Sequence, residues 1–117
     1  MISFPANTDI FVSHIPVSFG CGIDGMIRFC KIILKKEPLS SAYFLFINKS
    51  KKQIRVLWYD GQGFLLCTKR SSQGSFSNWP KNQEELCTTF PFFAAQVLFS
   101  GGDPESVKSK EIWKKIT

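Results

Sequence analysis

Residues 42–69 read AYFLFINKSKKQIRVLWYDGQGFLLCTK, and this stretch decides the fold. Ala42 to Asn48 is an almost unbroken apolar run. It is short enough for a strand and apolar at odd and even positions alike, so it predicts a strand buried on both sides. Lys49-Ser50-Lys51-Lys52 is polar and basic and predicts a loop. Gln53 to Tyr59 alternates, with Ile54, Val56 and Trp58 facing one way and Arg55, Leu57 and Tyr59 the other. Asp60-Gly61-Gln62-Gly63 carries the Asp-Gly turn signal, and Phe64 to Lys69 returns as a third strand. Strands joined by such short connections predict an antiparallel meander.

Outward from this centre the periods change. On the N-terminal side, Ile10 to Ile15 predicts a short strand ended by Pro16, followed by a Gly-containing loop, Ser18-Phe19-Gly20-Cys21-Gly22. Ile23, Met26, Ile27, Cys30 and Leu34 then recur at helical spacing and predict a helix over 23–36. Asp24 suits its positive end and Lys35 and Lys36 its negative end, and Pro38 forces the stop. On the C-terminal side, Gly74 to Pro80 has room for a fourth short strand around Phe76. Thr89 caps a helix from Pro91 to Phe99, ended by Gly101 and Gly102. Asp103-Pro104-Glu105 opens a last helix whose Ile112, Trp113 and Ile116 form a small apolar face. The expectation is an α+β fold: an antiparallel sheet of three to five strands packed by two helices, plus a C-terminal helix. Residues 1–102 form one domain and 103–117 a helical tail.

Composition narrows the function. The chain has 117 residues, with 15 Lys+Arg against 9 Asp+Glu, a net charge of +6. One domain of this size excludes a two-lobed catalytic apparatus. The longest wholly apolar run, Ala42 to Ile47, is too short to cross a membrane, so no membrane partner is expected. No basic residue precedes the first apolar stretch and no export signal follows, so the expected compartment is the cytoplasm. Cys21, Cys30, Cys67 and Cys87 form no Cys-x-x-Cys pair and His14 is the sole histidine, which argues against a metal site. Without export a disulfide framework is not expected, and the thiols read as small buried hydrophobes.

A search for catalytic groups gives little. Gly61-Gln62-Gly63 lacks the lysine and hydroxyl of a phosphate-binding loop. A nucleophile–base pair would need His14 beside a residue such as Cys21. Asp24, Asp60, Glu84 and Glu85 are the available metal-binding carboxylates, but Asp24 starts a helix and Asp60 makes a turn. No cofactor is expected. The positive charge, by contrast, is clustered: Lys49, Lys51, Lys52 and Arg55 in one group, Lys69 and Arg70 in another, and Arg28, Lys31, Lys35 and Lys36 in a third. A basic ribbon tip can lie against a phosphate backbone. Trp79, beside Pro80 in a loop, is the candidate exposed aromatic.

The series Ile54-Arg55-Val56-Leu57-Trp58-Tyr59-Asp60-Gly61-Gln62-Gly63-Phe64, Lys69-Arg70, Gly74, Phe76 and Trp79-Pro80 resembles the TnpB accessory proteins of the IS-sixty-six type of bacterial insertion sequence. Met1-Ile2-Ser3-Phe4-Pro5 and Gly22-Ile23-Asp24-Gly25-Met26 extend the resemblance to the start of the chain. It departs from the family at Ser18 to Cys21, where an Asp-Met-Arg-Lys stretch is usual. The resemblance implies a non-catalytic accessory role in transposition beside a separate transposase. Two expectations follow. One is DNA binding through Lys49, Lys51, Lys52, Arg55, Lys69 and Arg70. The other is a protein adaptor that holds the transposase or another accessory protein through Trp79 and Trp113.

Overall fold

A computed structural model describes residues 3–81 and 84–108. Its centre is a five-stranded sheet in the order β4-β3-β2-β1-β5. The strands are β1 (Ile10–Ser13), β2 (Tyr43–Ile47), β3 (Gln53–Tyr59), β4 (Phe64–Arg70) and β5 (Cys87–Phe90). The helices are α1 (Gly22–Ile32), α2 (Phe92–Phe99) and a single turn, α3 (Glu105–Lys108). The architecture is α+β, and the expected meander is present as β2-β3-β4, with Leu45 opposite Val56 and Val56 opposite Cys67.

The sheet is mixed rather than wholly antiparallel. β1 runs parallel to β2, with Phe11 beside Phe44. Parallel neighbours need a long crossover, and the segment from Ser13 to Tyr43 supplies one by carrying α1 across a face of the sheet. The fifth strand lies where the sequence predicted a helix cap. Thr88 and Thr89 pair with Val12 and Phe11 along the outer edge of β1. Two consecutive β-branched residues fit a pleated strand better than a helix start. Pro91, extended at φ −67 and ψ 156, is the residue that turns the chain into α2. Phe76 is not in a strand. Its ring is buried, and its N–H donates to the Lys51 carbonyl at 2.6 Å.

α1 stops earlier than expected. Lys35 swings into the left-handed region at φ 55, and the Lys36 N–H returns to the Cys30 carbonyl at 2.9 Å. The chain has therefore left the helix before Pro38 can act. Of the two cations expected at its negative end, neither is in the helix; Lys31 occupies the last turn. Of the predicted C-terminal tail, the first turn is present, with Asp103 Oδ1 accepting from the Glu105 N–H at 2.9 Å. Ile112, Trp113 and Ile116 lie outside the described residues.

Both faces of the sheet are covered. On one, Leu45 and Ile47 of β2, Ile54 and Val56 of β3 and Ile10 and Val12 of β1 pack against α2 through Ala94, Ala95, Leu98 and Phe99. Phe4 seals the end, its N–H donating to Gln96 Oε1 at 3.1 Å. On the other face, Phe44, Phe46 and Leu57 pack against Met26, Cys30 and Leu34 from α1 and the turn after it. Phe44 and Phe46 are essentially water-free. Each such side chain contributes about 1.5–3 kcal/mol by burial.

The turns use the chemistry the sequence offers. Asp60 Oδ1 accepts from the Gln62 and Gly63 N–H groups, both at 2.9 Å, which closes the β3–β4 turn. Those two N–H donors hold the Asp60 carboxyl below its ordinary pKa.

Burial divides the thiols. It pushes the Cys30 pKa up to about 12 and also raises that of Cys87, whereas Cys21 is exposed in the turn before α1. The thiolate is the reactive species, so at pH 8 the folded protein should lose Cys21 first to a thiol reagent such as iodoacetamide. Mass spectrometry of peptides sampled over time should find Cys30 alkylated only after denaturant is added. Equal rates at Cys21 and Cys30 would contradict the packing of α1 on the sheet.

Candidate nucleic-acid interface

The predicted ribbon tip exists and is tightly framed. Asn48 organises it. Its carbonyl accepts from the Lys51 N–H at 3.0 Å, and its side-chain Oδ1 accepts from the Lys52 and Gln53 N–H groups, each at 3.1 Å. Lys51 adopts a left-handed backbone at φ 61, which folds the loop back on itself. The 71–76 loop fastens the tip from outside: Ser71 N–H donates to the Lys52 carbonyl at 2.8 Å, beside the Phe76 bond to Lys51. Lys49 and Lys52 are exposed and Lys51 is half-buried. Three cations are thus displayed on a backbone with little freedom left to lose on binding.

The other predicted cations divide. Arg70 is exposed and sits opposite Gln53, so it joins the tip. Arg55 is turned to the α1 face. Its Nε donates to Thr68 Oγ1 at 3.1 Å and its Nη1 to the Phe19 carbonyl at 3.0 Å, with the guanidinium 4.5 Å from the Phe19 ring centre. It ties the Phe19–Cys21 turn to the sheet. Lys69 points to the opposite face. Its Nζ donates to the Phe99 carbonyl at 2.6 Å, at the negative end of α2, and lies 4.8 Å from the Phe99 ring centre. Lys69 therefore closes a helix, and strand alternation alone separates it from its sequence neighbour Arg70.

Trp79 is not an exposed aromatic. It is 3 % exposed, and its indole Nε1 donates to the Ser13 carbonyl at 2.8 Å. The Trp-Pro loop is a plug over the end of β1, which removes this residue from the partner-binding pair. Trp113, the other member, lies outside the described residues. The most exposed of the large apolar side chains described are Ile32 at 61 % and Leu39 at 53 %, in the last turn of α1 and the loop after it.

One cation was not singled out from the sequence. Lys81 follows the Trp79-Pro80 plug and lines the same cavity as Lys51, close to its side chain. Two ammonium groups cannot share a hydrogen bond unless one releases its proton. This contact, then burial and the charge of Lys81, lower the Lys51 pKa. No local pattern announces a neighbour 30 positions away, since the contact depends on where Trp79 is buried.

His14 is buried at the end of β1. Its Nδ1 lies 3.0 Å from the Glu85 carbonyl, to which it donates, which leaves Nε2 to accept from the Thr88 hydroxyl. Among the described residues no group of three His, Cys, Asp or Glu side chains is placed to hold a metal ion. No described helix is long and apolar enough to cross a membrane.

A model of the protein family described as "IS66 Orf2 like protein" matches residues 8–109. The chain is 31 % identical over 80 residues to the uncharacterized protein y4hO of Sinorhizobium fredii strain NGR234, covering 68 % of this chain and 69 % of that one. It is 29 % identical over 112 residues to the uncharacterized protein y4jC of the same strain, covering 96 % and 94 % of the two chains. No solved structure matches it.

Two substitutions separate frame from display. Asn48→Ala removes the acceptor of two loop N–H groups and should cost about 1–2 kcal/mol in urea unfolding. Lys69→Met should lower stability while leaving surface charge at the tip unchanged. If Lys69→Met instead weakens binding of a polyanion such as heparin as much as Lys52→Met does, its assignment to the α2 end is wrong.

Proposed function

Because the chain belongs to the IS66 Orf2-like family, we propose that it is a non-catalytic accessory protein of insertion-sequence transposition that binds DNA through the β2–β3 ribbon tip. The observation that carries this is the tip itself. Lys49, Lys51 and Lys52 lie in a five-residue loop, residues 48–52, whose backbone is held by the Asn48 side chain and by the 71–76 loop. Arg70 adds a fourth cation at the same end of the sheet. Phosphate contacts fix position and supply affinity, and lysines on a preordered loop supply them at low entropic cost. Arg55 and Lys69, by their contacts, support the scaffold rather than the contact surface.

A second reading has its own support. Ile32, Ile33 and Leu39 are exposed apolar side chains at the end of α1, away from the cations of the tip in sequence. A surface of that kind suits a protein partner, such as the transposase or another accessory protein, and binding there would change little with salt.

The test is fluorescence anisotropy of a labelled duplex titrated with the protein at several salt concentrations. Affinity should fall steeply with salt, since each neutralised phosphate contributes about 0.9 to the slope. The Lys49→Glu/Lys51→Glu/Lys52→Glu variant should lose binding. Absence of wild-type binding at low salt would remove DNA as the partner of the isolated protein and favour the α1 surface.

A further inference from the structure

Lys51 and Lys81 bring two positive charges to one place on the surface. Both side chains line one cavity of about 480 Å³, whose walls include Ile15, Pro16, Ile47 and Leu86. Glu85 lines it too, yet among the described residues no ion pair joins its carboxylate to either lysine. Both lysines leave the chain beside anchored groups. Lys51 is held at φ 61 between Asn48 and Phe76. Lys81 follows Pro80 and the buried, hydrogen-bonded Trp79. Two lysines that face one cavity, neither of them paired with its one carboxylate, attract an anion. The apolar wall behind it, with Leu86 46 % exposed, would suit a ligand that carries its charge next to an uncharged body.

We infer that Lys51 and Lys81 together hold one phosphate group of a nucleic-acid strand, with the adjoining sugar against the apolar wall of the cavity. The inference rests on the DNA-binding reading above and adds a residue and a subsite to it. The phosphodiester bridges the two ammonium groups, one oxygen to each, and turns their repulsion into two charge-assisted hydrogen bonds. The ribbon tip would then be one bank of a longer track whose other bank is Pro80-Lys81.

The test uses the full chain and three single variants, Lys51→Ala, Lys81→Ala and Lys31→Ala, the last on the outer face of α1. Duplex affinity is measured against salt, and the amide spectrum of each variant checks its fold. Lys81→Ala should weaken binding about threefold to tenfold at 0.1 M salt and reduce the salt slope by about one, with Lys31→Ala unchanged. If the wild type binds DNA and Lys81→Ala matches it in affinity and slope, the subsite is wrong and the tip alone binds. If the wild type binds no DNA, titration with inorganic phosphate decides. Shifts at the Lys51 and Lys81 amides, absent in either alanine variant, would keep the anion site while the DNA reading falls. No shifts would overturn both.

Discussion

β2 has no solvent face. Tyr43, Leu45 and Ile47 project to one side and Phe44 and Phe46 to the other, and a strand of that composition is stable only with a layer on each side of it. Most of the architecture answers that demand. The chain before β2 leaves β1, crosses a face as α1 and returns parallel. The chain after β4 passes the Trp79 plug, adds β5 to the free edge of β1 and lays α2 on the opposite face. The ribbon tip stands clear because it lies beyond the last buried residue of β2, Ile47, and before the first of β3, Ile54.

The same constraint sorts the cations. Side chains on these strands must choose a face, and over the central strands each face is already occupied by a helix layer. Arg55 and Lys69 begin inside the sheet, so they are drawn into its packing, one onto Phe19 and the other onto the end of α2. Lys49, Lys51 and Lys52 begin beyond it and remain available. Position relative to the core, more than charge density along the chain, decides which lysine or arginine is free to meet a partner.

The meander was legible because its signals are local: a continuous apolar run, a period of two, an Asp-Gly turn. The tip lysines were legible for the same reason. What escaped was non-local. The parallel pairing of β1 depends on α1 folding back across a face, which no period in Ile10 to Ile15 encodes. Cys87-Thr88-Thr89-Phe90 is too short to show alternation and becomes a strand only because β1 offers an open edge. Trp79 beside a proline in a polar loop looks exposed, and its burial depends on an acceptor, the Ser13 carbonyl, 66 positions earlier. Lys81 inherits its place from that burial.

The left-handed backbone at Lys51 sets two demands against each other. A side chain other than glycine or asparagine at φ 61 costs the fold roughly 1 kcal/mol. Glycine there would relax the loop and discard the charge in the same step. Selection for thermal stability alone would be expected to erase this lysine, whereas selection for contact with a polyanion would keep it. A library randomised at this one position and sorted separately for stability and for binding would read out which pressure the loop was shaped by.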